Sequence, residues 1–195
     1  SLTAPSPATS GGFVQTASAT VNWPLAALIT WTGNVSTAWN VGGNWSGGLV
    51  PTATDSAVIP ATANQPALTA AASVGAVEVS GGTLALNSQT LTVARTFVTS
   101  GTGTLTSNTA ASLLVVAGNA VFGGGDETGL LTDGNLRVAG DFTQGSTANS
   151  FVASGLHTVF FNGTGAQTVT LANGGAASSR FQTLRVINAT GIVTL

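Results

Sequence analysis

The sequence predicts an all-β fold: a parallel β-solenoid (β-helix) with coils of about 22 residues and a Trp-rich N-terminal cap. The first observation is a phrase that occurs three times, at Leu91–Phe97, Leu114–Ala120 and Leu136–Phe142. Its leading Leu residues are 23 and then 22 residues apart. The second is a looser phrase of Gly, a variable residue and Leu, found at Gly82–Leu84, Gly103–Leu105 and Gly129–Leu131. Two short strands per unit, separated by Gly, Asn, Ser and Thr, are typical of a coil that stacks on copies of itself.

The composition excludes several classes of protein. Charged residues make up 5% of the 195 residues, and all four basic residues are Arg, whereas a typical soluble domain is about 25% charged. The chain is also 43% hydrophobic with a net charge of −2, so it lacks the low hydrophobicity and high charge of a disordered protein. It contains no run of about 20 apolar residues for a membrane helix and no basic patch to neutralise phosphates. We therefore expect no membrane span and no nucleic-acid partner.

The chain divides into three predicted regions. Residues 1–20 form a flexible leader or an exchanged strand, since a Pro-containing polar stretch precedes the weakly alternating segment Phe13–Thr20. Residues 21–72 form the Trp-rich cap, and residues 73–195 form the coils.

The first strand is predicted within the cap, at Leu28–Thr30, with a helical turn over Pro24–Leu28 as the alternative. Later strands are expected as a pair within Leu156–Leu171, then at Leu184–Ile187, and as one more strand opening within Thr190–Leu195.

Alternation of apolar and polar residues assigns the faces of the coils. The apolar residues of the first coil strands should point inward, namely Val77, Val79, Leu84 and Leu86. Glu78, between two of them, should point outward. The repeated phrase places Val93, Val116 and Val138 in one interior column, at the strand spacing of about 4.8 Å. Arg137 and Asp141 should stay in contact with water.

The four Trp residues all lie between residues 23 and 45. Since the first coil of a solenoid has no preceding coil to cover it, bulky side chains are needed there. Trp31, Trp39 and Trp45 are thus interpreted as a cap, or alternatively as an aromatic platform for a surface glycan.

The segment Trp31–Ile59 also carries a family resemblance. Its spacing, W-x-G-x-x-S-x-x-W-x-x-x-x-N-W-x-x-G-x-x-P-x-x-x-D-x-x-x-I, resembles the N-terminal part of bacterial secreted repetitive β-solenoid surface proteins, of the adhesin and autotransporter-passenger kind. The phrases Phe161–Thr168 and Phe181–Asn188 resemble the same group. The resemblance implies secretion, a cell-surface or extracellular location and a solenoid fold, and it implies no particular activity.

The residues that could carry chemistry are few. The chain has no Cys, no Tyr and one His, His157, which at a strand start is expected to be a polar surface residue. We therefore predict no enzymatic activity and no cofactor. The alternative is a carbohydrate-active β-helix that uses Asp126, Glu127, Asp133 or Asp141.

The first three of these acids also form a weak calcium candidate. Asp126, Glu127 and Asp133 follow a Gly-rich stretch and could supply oxygen ligands, although a plain polar loop is favoured because the pattern does not repeat. Four N-x-[ST] sequons raise the question of glycosylation: Asn34, Asn44, Asn162 and Asn188.

The ends of the chain predict self-association. Thr190–Leu195 offers an apolar strand without charge, Pro or aromatic cover, and the leader offers a loose strand without a partner. The residues expected to meet are Phe13 and Val14 with Ile192, Val193 and Leu195. The sequence thus predicts a secreted structural or interaction protein, which forms a head-to-tail homopolymer or else continues into further coils of a longer chain.

Overall fold

The structure, a computed structural model, describes residues 26–145 and 147–195. These residues form short β-strands and two 3₁₀ turns, Gly42–Asn44 and Ser46–Gly48. The strands are β1 (Leu28–Thr30), β2 (Ser56–Ile59), β3 (Ala72–Val74), β4 (Ala76–Val79), β5 (Thr83–Ala85), β6 (Thr90–Val93), β7 (Phe97–Thr99), β8 (Thr104–Thr106), β9 (Leu113–Val116), β10 (Ala120–Phe122), β11 (Asn135–Val138), β12 (Phe142–Gln144), β13 (Thr158–Phe161), β14 (Gln167–Leu171), β15 (Thr183–Val186) and β16 (Val193–Thr194).

The strands assemble into three parallel sheets that run along the length of a solenoid. The largest has eight strands in the order β1-β2-β4-β7-β10-β12-β14-β16, and the second has six in the order β3-β6-β9-β11-β13-β15. Strands β5 and β8 form a two-stranded third sheet. Because each strand pairs with its counterpart in the next turn, the chain is a parallel β-solenoid, and the predicted fold class is confirmed.

The period of the coil is close to the predicted one. In the six-stranded sheet the register aligns Leu91, Leu114, Leu136, Val159 and Leu184, which are separated by 23, 22, 23 and 25 residues. The strands keep their alignment because the loops between them absorb the differences in length.

The predicted interior column is confirmed. Val93, Val116 and Val138 are paired in register in successive coils and are at most 1% exposed. The residues predicted to point inward in the first coils are buried too, namely Val77, Val79, Leu84 and Leu86. Glu78 is exposed, as predicted. Period-two alternation therefore predicts the interior of these coils correctly.

Truncation of Val116 to Ala is expected to lower the free energy of unfolding by about 1–3 kcal/mol, because burial is lost and a cavity remains between Val93 and Val138. Val115 provides a matched control, since it lies on the same strand but points outward and is half-buried. Urea denaturation of both variants tests the register. An equal loss for Val115→Ala would contradict it.

A cluster of Phe rings fills the interior between the two main sheets. The register aligns Phe97, Ala120 and Phe142 in one column. The small side chain of Ala120 leaves room there, and Phe122 fills it from the adjacent column, with its centroid 5.6 Å from both Phe97 and Phe142. Alternation of large and small residues thus achieves close packing across neighbouring columns.

Glycine is required at one corner of the coil. The repeated Val-Ala-Gly phrase places Gly118 and Gly140 where successive coils touch, and the Gly140 N–H donates to the Gly118 carbonyl at 2.9 Å. A Cβ at Gly118 would collide with the backbone carbonyl of Arg95 in the preceding coil. Close approach of the backbones thus explains why glycine follows Val-Ala at position 118.

The N-terminal region is continuous with the coils. The predicted strand is confirmed as β1, and both β1 and β2 belong to the eight-stranded sheet. The six-stranded sheet begins only at β3, and residues 31–55 form an aromatic loop where an earlier strand of that sheet would lie. The predicted boundary between residues 72 and 73 falls within β3 (Ala72–Val74). The leader, with Phe13 and Val14, lies outside the described residues.

Candidate functional site

Three Trp side chains form a compact cluster at the N-terminal end. Trp45 lies between Trp31 and Trp39, with ring centroids 4.9 and 4.7 Å away and edge-to-face angles of 83° and 76°. The Trp45 indole N–H donates to the Trp39 carbonyl at 2.7 Å, and that of Trp31 donates to the Asn64 carbonyl at 2.7 Å. All three residues are at most 2% exposed. This burial supports the capping interpretation, since none of the three rings offers an open face to a sugar.

Buried Asn44 fixes the loop that carries these Trp residues. Its side-chain oxygen accepts from the backbone N–H groups of Val35 and Ser36, both at 2.8 Å. Its amide nitrogen donates to the Ser36 hydroxyl and the Ala38 carbonyl, both at 2.9 Å. The Asn44 sequon therefore has its amide enclosed, whereas Asn34 is exposed.

The acidic candidates do not converge on one site. The Asp126 carboxylate is exposed and accepts from the Thr128 N–H at 2.8 Å, and that of Asp133 accepts from the Gly134 N–H at 2.7 Å. The half-buried Asp141 accepts from the Thr168 N–H of the next coil at 2.8 Å. Across residues 26–145 and 147–195, no group of three His, Cys, Asp or Glu side chains is arranged to hold a metal ion.

Glu127 differs from the polar loop residue that the sequence predicts. Its side chain is fully buried, and one carboxylate oxygen accepts from the Leu105 N–H at 3.0 Å. The other oxygen has no hydrogen-bond partner in the structure. Burial, with the nearby Asp126 charge, raises the pKa of Glu127 well above its ordinary value of 4.5, against the opposing effect of the Leu105 hydrogen bond. The Gly-Gly-Gly-Asp context indicated solvent exposure, but the coil turns inward directly after Asp126.

The expectation that His157 is a surface residue is wrong. The residue is 1% exposed, and its Nδ1 lies 2.9 Å from the Asp133 carbonyl oxygen. Since a carbonyl can only accept, Nδ1 carries the proton, and buried Nε2 has no partner in the structure. Burial lowers the pKa of His157 below its ordinary value of 6.5. The imidazole packs 6.2 Å from the Phe151 ring and closes a corner of the coil.

Glu127→Gln is expected to remove one contribution to stability that is lost as the pH rises from 5 to 8, and so to make the change in stability between these pH values more favourable than in the wild type. The raised pKa of Glu127 means that the folded protein retains a proton that the unfolded chain releases above about pH 4.5. The contribution of Glu127 to the stability of the wild type therefore falls as the pH rises through this range. Denaturation midpoints at pH 5 and pH 8 measure the effect.

Asp126→Asn is the matched control, because it removes one charge from the adjacent residue. Hydrogen bonds from Thr128 lower the pKa of Asp126 below 3.8, so its contribution changes only below the tested range. If Glu127→Gln and Asp126→Asn have the same pH profile between pH 5 and 8, the buried position of Glu127 is contradicted.

The C-terminal coil end, formed by the outer edges of β15 and β16, exposes several apolar side chains. Val186 belongs to the same column as Val138 and Phe161, which are fully buried, but it is 52% exposed. Ile192 and Leu195 are 74% and 79% exposed. Val193, in β16, is half-buried and pairs with Gln167 of β14. Within residues 26–145 and 147–195, no coil covers these apolar side chains.

The opposite end of the eight-stranded sheet carries an apolar concavity. A cavity of about 380 Å³ lies beside β1 and is lined by Ala27, Ile29, Leu49, Val50, Thr52, Thr54 and Asp55. Among the described residues, β1 pairs only with β2, so this sheet has a free edge at each end. The two ends are thus of the same type and point in opposite directions.

These features define a parallel β-solenoid with an aromatic N-terminal loop and an open C-terminal coil. The chain belongs to the family described as "Domain of unknown function (DUF8693)", whose model matches residues 30–130, just over half of the 195 residues. The matched segment includes all three Trp residues of the cluster. No curated protein and no solved structure matches the chain. The described residues contain no helix of the length and apolarity needed to cross a membrane.

Proposed function

We propose that this chain is a structural β-solenoid subunit of an extracellular or cell-surface fibre, adhesin or matrix, and that it extends by strand addition at the C-terminal coil end. The observation that carries the proposal is the exposure of Val186. The equivalent positions in the preceding coils are fully buried, at Val138 and Phe161, because another coil covers them. The burial of the equivalent positions supports a further layer of strands as the group that would cover Val186.

The chemistry of this end fits a β-strand as the partner. Within residues 26–145 and 147–195, strands β15 and β16 each have a neighbour on one side only, so their outer backbone groups have no strand partner there. A strand added beyond β15 or beyond β16 would satisfy the outer backbone groups of that strand and bury the apolar side chains beside it, such as Val186 or Ile192. Such a contact is head-to-tail, and a head-to-tail contact that does not close into a ring produces a filament.

Two sources of the added strand are possible. In the homopolymer, the uncharged segment Phe13–Thr20 of a second copy, including Phe13 and Val14, supplies it. In the competing arrangement, further coils of a longer chain cover the same surface. Both make the chain a building block of an extended solenoid, and they differ in whether the isolated chain associates with itself.

An extracellular or cell-surface location is part of the proposal. The spacing of Trp31–Ile59, which resembles that of secreted repetitive surface proteins, supports it. The low charge supports assembly, since a surface of Thr, Ser, Asn and Gly provides little electrostatic repulsion between copies.

Deletion of residues 1–20 tests the exchange. Sedimentation velocity of the full chain should show species that grow with concentration. The deletion variant should remain folded by circular dichroism and sediment as a monomer. If the chain is monomeric both before and after the deletion, strand exchange is ruled out.

A second pair of variants tests the surface that receives the strand. Ile192→Lys places a charge on the C-terminal coil end and should abolish association without unfolding the solenoid, because the side chain is exposed. Leu156→Lys is the matched control, since Leu156 is 73% exposed but lies at a corner before β13. If both substitutions weaken association equally, the coil end is not the contact.

The alternative of a carbohydrate-binding or carbohydrate-active protein that uses the Trp residues or the acids has less support. The Trp rings are buried and pack against one another. Asp126, Asp133 and Asp141 each accept a separate backbone hydrogen bond. A glycan site on this chain needs another surface.

A further inference from the structure

We propose that the outer face of the six-stranded sheet binds a carboxylated polysaccharide through Arg137, Phe160 and Arg185. The three side chains occupy one outward row, because the register aligns Arg137 with Phe160 and Phe160 with Arg185 in consecutive coils. We call them, together with the adjacent polar row, the Arg–Phe–Arg face. This inference is independent of self-association.

The two guanidinium groups lie on either side of Phe160 in the sheet order, one on β11 and the other on β15. The guanidinium carbon of Arg137 is 5.4 Å from the ring centroid, and that of Arg185 is 5.9 Å away. Both distances fall within the range of a cation–π contact. The ring therefore holds the two cations in place on a surface that is otherwise uncharged.

The other two Arg residues of the chain show what is unusual here. Arg95 donates to the Thr54 carbonyl and the Ser56 hydroxyl, and Arg180 donates to the carbonyls of Ala176 and Ser178. These arginines stabilise the fold.

By contrast, the side chains of Arg137 and Arg185 make no hydrogen bond or ion pair with any residue in 26–145 or 147–195, and both are exposed. Their donor groups are therefore available to an external anion.

The charge of the face is complementary to carboxylate. The six strands of this sheet contain no Asp or Glu, although the chain as a whole carries a net charge of −2. Two positive groups thus stand on a surface with no acid among its strands. The guanidinium fork matches a carboxylate with two parallel hydrogen bonds, so carboxylate is a favoured ligand group.

A neighbouring row supplies groups suited to sugar hydroxyls. Asn135, Thr158 and Thr183 are aligned in register two residues before the Arg–Phe–Arg row on the same strands. Their amide and hydroxyl groups can both donate and accept hydrogen bonds. Arg137 and Arg185 are two strands apart, about 9.6 Å at the spacing of a sheet. A polymer lying across the strands could reach both cations and the polar row.

Other anionic polymers fit this face less well. Binding to nucleic acid relies on several cations that neutralise neighbouring phosphates, and this face has two. A peptide cannot add as a strand between Arg137 and Arg185, because β13, which lies between them, is already paired with β11 and β15.

The test measures binding of polygalacturonate to the full chain, with fully methyl-esterified pectin as the uncharged probe and duplex DNA as the phosphate probe. Arg137→Gln/Arg185→Gln should weaken binding of polygalacturonate about tenfold or more, as expected for loss of charge-assisted hydrogen bonds. Added salt should weaken binding by the wild type. Arg137→Lys/Arg185→Lys, which keeps the charge but loses the fork, should also bind more weakly.

Arg95→Gln/Arg180→Gln is the matched control, because it removes the same charge from elsewhere and should retain binding, with circular dichroism verifying that each variant is folded. Four outcomes would overturn the proposal: no binding by the wild type, equal weakening by both double Gln variants, equal binding of the methyl-esterified probe, or tighter Arg-dependent binding of DNA than of polygalacturonate.

Discussion

Phe142→Ala is expected to lower the free energy of unfolding by about 3–5 kcal/mol, which is large relative to the total stability of a domain. Phe142 is fully buried, and its ring contacts four others: the centroids of Phe122, Phe151, Phe161 and Phe181 lie 5.6, 4.9, 6.1 and 5.0 Å away. These rings come from four different segments of the chain, so they are not expected to move together into the space left by the truncation. Equilibrium urea denaturation followed by circular dichroism measures the loss.

Phe160→Ala is the matched control for this prediction. The two residues are the same type, and both lie in strands, but Phe160 is half-buried on the outer face of the six-stranded sheet. We expect it to cost about 1 kcal/mol, from strand propensity and lost surface contact. Equal destabilisation by the two variants would show that the ring cluster does not hold the coils together.

Trp39→Ala is expected to cost about 3–5 kcal/mol and to destabilise the N-terminal loop. The Trp39 side chain is 1% exposed, and its ring centroid lies 4.7 Å from that of Trp45, so the substitution removes buried apolar surface from the loop. Loss of the indole leaves Trp45 without one of its two aromatic neighbours. The free energy of unfolding and protease susceptibility within residues 31–55 are the measurements.

Leu49→Ala serves as the control for the cap, because Leu49 lies in the same loop and is 70% exposed. It should change stability by about 0.5 kcal/mol or less. Binding of a glycan panel to Trp39→Ala distinguishes the two interpretations of the cluster. If the variant keeps its stability and loses glycan binding, the cap interpretation fails.

The sequence predicts the regular part of the solenoid well, because two simple periodicities act together there. Alternation directs every second side chain of a strand into the interior of the solenoid. The 22- to 23-residue repeat aligns the strands of successive coils. Val93, Val116 and Val138 satisfy both, so their column is predictable. The two-stranded sheet of β5 and β8 has a weaker signal in the sequence, the looser Gly-x-Leu phrase.

The irregular corners are where prediction from sequence fails. Glu127 follows three glycines and an Asp, and His157 follows a Gly and an exposed Leu, so local composition indicates exposure for both. Each side chain instead turns inward and satisfies part of its hydrogen bonding with the backbone of a neighbouring coil, at Leu105 and Asp133. Such burial depends on the path of adjacent coils, which local sequence does not encode.

The Arg–Phe–Arg face has its own signal in the sequence, apart from the repeated phrase that begins at Leu91, Leu114 and Leu136. The phrase Leu-Arg-Val occurs at Leu136–Val138 and again at Leu184–Val186. Its recurrence places both Arg residues on outward positions of the same sheet. The contact of both Arg residues with Phe160 could not be predicted in this way, because it depends on the register of the coil that lies between them.

The most direct test of the account is negative-stain electron microscopy of the purified chain over a range of concentrations, alongside Ile192→Lys. The central claim is that the C-terminal coil end receives a strand from another copy. It predicts unbranched filaments that lengthen as the concentration rises for the wild type, and single particles for the variant. Single particles of the wild type at every concentration would contradict self-assembly.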